Sequence, residues 1–406
     1  MPHAALTRPT ADDAIEAASV ESLSPPSHDE RSRQAFVASL RKHLMVDMSA
    51  RLRSLYDTEV APAVAAREGH APRDGREVRR AMLGQPYFQA WSALRYAAQE
   101  QTWWTVQPQI ERALPTLRAA CRSLAERRPA GGSLRLNPAT PLPREVTSLD
   151  IHLMPGCFHT EFAADDVAQG AVYTLGTAVF GGALKLRTRG GGVAASVARW
   201  IRATRPGFEP RRIVDLGCTT GANTLPYLDV FPDAELHGVD VGAPLLRYAH
   251  ARAELLGRRV HYSQQNAESL DFADGSVDLV VSSFFLHEQS VASTARILRE
   301  CHRVLRPGGL MVHMELPPVA ETDPYYSFYL DWDAYYNNEP HYAAFRALDL
   351  RAEVTAAGFP ADGCFQTRIP NWGTLSEQAF LDAVLGRAPV APHGNGASWF
   401  IFGATR

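Results

Sequence analysis

The residues best suited to chemistry begin in the run IVDLGCTTGANTLP, from Ile213 to Pro226. An apolar, β-branched segment ends in Asp215, a glycine turn follows with Gly217 and Gly221, and the pattern then becomes helical. Asp240 closes the next strand-like run, HGVD, a position from which an acid can accept both hydroxyls of an adenosine ribose. Two nucleotide ligands compete for such a turn. A dinucleotide needs G-x-G-x-x-G so that its pyrophosphate can touch the backbone, and here Thr219 takes the middle glycine position. Asp215 would also repel a phosphate placed nearby. S-adenosylmethionine (SAM) has no phosphate and carries an ammonium and a sulfonium, so the same acid attracts it.

Three further groups bear on catalysis. The run Ser282-Ser-Phe-Phe-Leu-His287-Glu288 follows a strand-like segment, and ligands of an open α/β sheet bind at the carboxyl ends of its strands. His287 titrates in the range of a general base and Glu288 could orient it; the competing role for His287 is a helix cap or a bond to a backbone carbonyl. The segment from Tyr325 to Pro340 is unusually aromatic. The faces of Trp332 and Tyr335 could hold an apolar or cationic ligand, with Asn337, Asn338 and Glu339 supplying polar contacts. Equally, these aromatics could pack onto an N-terminal helical arm through Trp91, Trp103 or Trp104, and the two roles are compatible. His152 and His159 lack helical ligand spacing and show no evident carboxylate partner, so no metal site is expected. The arginine clusters 73–80, 122–128 and 187–189 read as solvated faces.

The elements that must position these groups follow from periodicity. Residues 1–27, rich in Pro, Ser and Ala, read as a disordered tail. From His28 to about Pro143 the pattern is helical: Phe36, Leu40, Leu44, Met48, Leu52 and Leu55 form one apolar stripe, Tyr87, Trp91, Leu94 and Ala98 a second, and a third helix runs from about Pro108 to Arg127. Pro129 to Pro143 reads as a linker. A mixed segment, 150–192, leads to a helix through Trp200. Strands are expected near Arg212–Leu216, Glu235–Val239, Val260–Ser263, Leu279–Ser282 and Leu310–Glu315, separated by helices, with Cys364–Ile369 and Trp399–Ala404 extending the edge. The predicted fold is α/β, a doubly wound, Rossmann-like parallel sheet over residues 144–406, with an all-helical N-terminal domain over 28–143.

Residues 211–316 resemble a class I SAM-dependent methyltransferase of the ubiquinone/menaquinone-biosynthesis type. The resemblance rests on VDLGCTTG (Val214–Gly221), GVD (Gly238–Asp240), NAESLDF (Asn266–Phe272) and VLRPGG (Val304–Gly309), in that order, over about a quarter of the chain. It implies that the loop from Asp215 through Gly217, Cys218 and Thr219 to Gly221 wraps the methionine part of SAM, that Asp240 holds the ribose, and that Asn266 and Ala267 sit at the adenine. Thr219 replaces the family's usual central glycine and Asn266 its usual acid. Ser283, in the loop after the fourth strand, joins the cofactor-binding set. Tyr173 does so on a segment expected to cover the cofactor as a lid, with hinges at Gly176, Gly181 and Gly182. An insert at about 317–345 would wall the acceptor pocket. The N/D-P-P-Y/F motif of enzymes that methylate amino groups of nucleic acids and glutamine is absent from the 282–288 loop, which disfavours those substrates.

Composition sets outer bounds. Lys+Arg is 41 and Asp+Glu is 44, a net charge of -3, which argues against a nucleic-acid binder. No eighteen-residue apolar run exists, so no membrane span is expected. Five scattered cysteines imply free thiols and a reducing compartment. The expectation is a cytoplasmic enzyme that methylates O or N of a small molecule, such as a specialised metabolite, with SAM as cofactor and no metal. The helical domain would cap the pocket or make a homodimer. Two rivals share these motifs: an enzyme that closes a ring within SAM and releases methylthioadenosine, or performs another cyclisation, and a non-catalytic SAM-binding partner subunit.

Overall fold

The computed structural model describes residues 23–184, 192–394 and 396–406. Most of the expected tail, the glycines from Gly190 to Gly191 and the arginines 187–189 lie outside the described residues. The last residues of that tail are ordered, contrary to expectation. Ser24 is fully buried and exchanges hydrogen bonds with Gln109, and Ser27 forms a capping box with Glu30 that starts the first helix, His28–Lys42.

That helix runs on through two π-helical turns, His43–Met48 and Tyr56–Val60, to Glu68, where Gly69 ends it at φ 77°. Steps of four residues drift round a 3.6-residue helix, so Phe36, the outermost member of the expected stripe, is 63% exposed while Val37 turns inward. The wider π turns then keep Leu52, Tyr56, Val60 and Val64 buried along one line despite their four-residue spacing. The helices Gly75–Met82, Pro86–Trp104 and Gln107–Arg127 complete the helical region.

The sheet has eight strands: β1 Ser133–Arg135, β2 Arg212–Leu216, β3 Glu235–Asp240, β4 His261–Gln264, β5 Val277–Ser283, β6 Leu305–Glu315, β7 Cys364–Pro370 and β8 Ser398–Thr405. Their order is β1-β4-β3-β2-β5-β6-β8-β7. Two expectations are corrected here. The sheet is not wholly parallel, because β8 inserts antiparallel between β6 and β7. Ser133–Arg135, read as part of a linker, is an edge strand parallel to β4, too short for any alternation to show in the sequence.

Strand side chains alternate between faces. Ile213, Leu279, Val281, Leu310 and Val312 pack against Ala194, Val197, Ala198 and Ile201 of the helix Gly192–Thr204. Val214, Val280 and Met311 pack on the other face against Ile297, Leu298 and Val354. Helices on both faces leave the carboxyl ends of β2, β3, β5 and β6 as the open edge where side chains can meet a ligand. All five cysteines are buried and free. No helix among the described residues is long and apolar enough to cross a membrane.

Candidate active site

Two adjoining cavities occupy that edge. The first is a cleft at the ends of β2, β3 and β5, lined by Asp215, Gly217, Cys218, Thr219, Asp240, Asn266, Ala267, Ser283 and Tyr173 among others. Gly221, placed by sequence in the same set, does not line it. This glycine, at φ 76°, packs behind the loop, where an added Cβ would lie 2.3 Å from the Tyr262 hydroxyl. At Gly217, φ 66°, an added Cβ would strike the Phe285 ring at 2.4 Å. Thr219 adopts φ 46°, an uncommon conformation for a β-branched residue. Its N–H donates to Asp240 Oδ2 at 2.9 Å and Gly242 N–H donates to Oδ1 at 2.8 Å, which ties the loop to the end of β3. Asn266 accepts from the Glu268 N–H at 2.9 Å, so its amide also shapes the turn beneath the cleft.

The cleft fits a cationic nucleoside. Asp215 is buried, with Thr224 donating to it, and burial pushes its carboxyl up to about 7. Burial likewise raises Asp240 to about 6. No cationic side chain among the described residues pairs with either carboxylate. Desolvated acids of this kind favour a ligand that brings positive charge. SAM would be held by Asp215 and the Gly217–Thr219 loop at its amino-acid end and by Asp240 at its ribose.

The second cavity is larger, about 880 Å³. It shares Tyr173, Phe284 and Glu288 with the cleft. Its walls come from the helical region (Met45, Gln99, Trp103), the helix Pro324–Asn337, and Trp399 of β8. The aromatic helix divides by phase. Tyr326, Tyr329, Leu330, Asp333 and Asn337 fall at steps of three and four and line the cavity. Trp332 faces the other way, against Phe88 at 5.2 Å, and donates to Ser92 at 3.2 Å. Tyr335 is 61% exposed, and Asn338 caps the helix at φ 53° while donating to the Asp150 carbonyl. Of the expected acceptor contacts, Asn337 and Glu339 therefore line the cavity, while Trp332, Tyr335 and Asn338 do not.

A chain of buried and half-buried ionisable groups lies where the cavities meet. Glu315, fully buried at the end of β6, accepts from Phe285 N–H at 2.8 Å and Leu286 N–H at 2.6 Å, and bonds His287 Nδ1 at 2.6 Å. His287 Nε2 stands 4.0 Å from Glu339 Oε2. The other oxygen of Glu339 bonds His152 Nδ1 at 2.9 Å, and His152 Nε2 bonds Glu288 at 3.0 Å. The residue orienting His287 is thus Glu315 and not Glu288 as expected, because the strand β6 places its terminal carboxylate beneath the 282–288 loop. His152, read as having no carboxylate partner, has two, supplied by segments far away in sequence. His152, Glu288 and Glu339 bring their donor atoms within 4.8 Å of one another. Glu315 could have been found by the rule that placed His287, since it ends an expected strand. His152 gave no sequence signal.

His152 itself sits at φ 60° and Leu153 at φ 56°. This strained turn is held by its surroundings: the His152 carbonyl accepts from Gln99 at 2.9 Å and from Trp103 at 2.7 Å. Burial pulls both imidazoles toward neutrality, but the carboxylates outweigh it. Glu315 and Glu339 raise His287 to about 9, and Glu288 and Glu339 raise His152 to about 10. His287 is therefore an imidazolium at neutral pH, a hydrogen-bond donor before it is a base. Groups with raised pKa values stabilise the fold fully below the ordinary histidine range, and that stability is lost as pH rises through about 9 to 10. The melting temperature is expected to fall by several degrees between pH 7 and pH 10, and side-chain ¹⁵N spectra at pH 8 to show two retained imidazolium signals. Two neutral rings at pH 8 would contradict this assignment.

Fold and cleft together are similar to those of class I SAM-dependent methyltransferase domains. Residues 213–309 match the family model described as a methyltransferase domain. A demethylmenaquinone methyltransferase of Thermus thermophilus is 38% identical over 109 residues, covering 27% of this chain and 49% of that protein. A ubiquinone/menaquinone biosynthesis C-methyltransferase of Pasteurella multocida is 34% identical over 125 residues, covering 29% and 46%. The chain spans about half the length of the curated relatives it matches. Among solved structures, phosphoethanolamine N-methyltransferase 2 of Haemonchus contortus in complex with SAM aligns over 51% of each chain, with 17% identity and a TM-score of 0.36.

Proposed function

We propose that the protein transfers the methyl group of SAM to an oxygen or nitrogen of a small-molecule acceptor bound in the larger cavity. The observation that carries this reading is the junction of the two cavities at Tyr173, Phe284 and Glu288. A cofactor cleft that adjoins a separate cavity of about 880 Å³ has room for a second molecule of the size of a specialised metabolite. Bound SAM supplies an activated methyl group on a sulfonium, so little is asked of the protein beyond alignment, exclusion of water and control of one proton. Tyr173 and Phe284 form the shared wall. The helical region acts as the cap that closes the acceptor side through Met45, Gln99 and Trp103. His287 and Glu339 are the polar groups that meet the acceptor.

The competing chemistry, ring closure within SAM, needs no second cavity. Incubation with SAM alone is expected to release no methylthioadenosine. With methyl-labelled SAM and the low-molecular-weight fraction of a source-cell extract, S-adenosylhomocysteine is expected to form together with a labelled small molecule. Methylthioadenosine accumulating without an acceptor would overturn the methyl-transfer reading.

A further inference from the structure

Glu339 lines the acceptor cavity, and its Oε2 is buried with no hydrogen-bond partner among the described residues. Its side chain is 1% exposed. Its sister oxygen is already held by His152. A buried carboxylate oxygen left unpaired carries a desolvation penalty that a ligand's donor would remove. Facing it across 4.0 Å is His287 Nε2, too far for a direct hydrogen bond and also on the cavity wall. Any single group placed between them must donate to the carboxylate and accept from the imidazole N–H. A hydroxyl does both. An ammonium only donates, and would meet a like charge on the imidazolium. A carbonyl or carboxylate only accepts, and would leave Glu339 unpaired. An oxygen can sit at about 2.8 Å from both atoms at this separation. The cavity wall is rich in aromatics, among them Tyr326, Tyr329 and Trp399, and the Phe284 and Tyr342 rings lie 6.1 and 5.4 Å from the His287 ring.

We propose that the acceptor is a hydroxylated aromatic molecule whose O–H docks between Glu339 and His287, and that Glu339 takes its proton as the oxygen is methylated. The inference rests on the methyl-transfer reading and names the acceptor class for that same site. In the step, the O–H bond breaks and its proton moves to Glu339 Oε2. The freed oxygen pair forms the O–CH₃ bond, and the S–CH₃ bond breaks with its pair remaining on sulfur, giving a methyl ether and S-adenosylhomocysteine. His287, held as an imidazolium by Glu315, stabilises the developing charge on oxygen. His152 is a positioning residue: it fixes one oxygen of Glu339 so that the other faces the cavity.

The test uses the full chain saturated with S-adenosylhomocysteine, and 2-naphthol as probe, followed by quenching of tryptophan fluorescence; Trp103 and Trp399 line the cavity. Naphthol is expected to bind at least roughly tenfold more tightly than 2-methoxynaphthalene, which cannot donate, and than 2-naphthylammonium. Bound naphthol should show naphtholate emission, the signature of proton transfer to an adjacent base, and Glu339→Gln should restore naphthol emission while S-adenosylhomocysteine affinity is unchanged. Equal binding of naphthol and its methyl ether, preference for the ammonium, no naphthol binding, or unchanged emission in a folded Glu339→Gln protein would each overturn the proposal. Should that variant fail to fold, the wild-type comparison of naphthol with its ether decides alone. Failure of the wild type to bind S-adenosylhomocysteine would instead strike the methyl-transfer reading, which separates the two.

Discussion

Replacing Glu315 by alanine is expected to destabilise the protein by about 3–5 kcal/mol, the range observed when one partner of a buried ion pair is removed. Glu315 is fully buried and serves three donors at once: the N–H groups of Phe285 and Leu286, and His287 Nδ1. Alanine leaves two backbone N–H groups without an acceptor and a buried imidazolium without its nearest counter-charge. The imidazole responds by losing its proton, since burial then dominates and pulls its pKa down from about 9. Urea unfolding monitored by circular dichroism would read the stability change, and ¹⁵N chemical shifts of His287 the change of charge. Glu315→Gln separates the two effects, because the amide oxygen still accepts from the backbone while the charge is gone. A loss below about 1 kcal/mol in the alanine variant would show that the network is not held as described.

Asp240→Ala is expected to weaken SAM binding by about 1.5–3 kcal/mol, the scale of hydrogen bonds to a charged group, or roughly 10- to 150-fold. The carboxylate has two roles. It lines the cleft, where it would accept from the ribose hydroxyls, and it anchors the loop through Thr219 N–H and Gly242 N–H. Alanine removes both, and Thr219 at φ 46° is then free to relax out of its strained conformation. Asp240→Asn keeps an acceptor oxygen and should fall between wild type and alanine. Calorimetry on the three proteins measures the series, and an unchanged affinity in the alanine variant would remove Asp240 from the cofactor site.

The sequence by itself determined the cofactor half of this protein. The strands β2, β3, β5 and β6 and the Asp215–Thr219 turn are local patterns, each written in fewer than fifteen consecutive residues. A buried parallel strand is a short apolar run whoever its neighbours are, and a glycine turn after it is legible for the same reason. Electrostatics then separated a cationic nucleoside from a pyrophosphate without any coordinates. How the groups of the second cavity meet is decided by the tertiary structure, even though His287, Asn337 and Glu339 were legible one by one. Glu315, His287, Glu339, His152 and Glu288 come from four segments of the chain, and no spacing rule connects His152 to a carboxylate 136 residues later. Helical phase separated Tyr329 and Asp333 on the cavity wall from Trp332, packed against Phe88, and Tyr335, turned to solvent, although an aromatic run of either phase reads the same in sequence. The antiparallel insertion of β8 was equally hidden, because pairing partners and strand direction are settled by which edge remains open once β6 has closed the parallel set. Local backbone preference is written residue by residue, whereas the meeting of side chains depends on where distant elements pack, and burial together with the neighbouring charges then decides their charge.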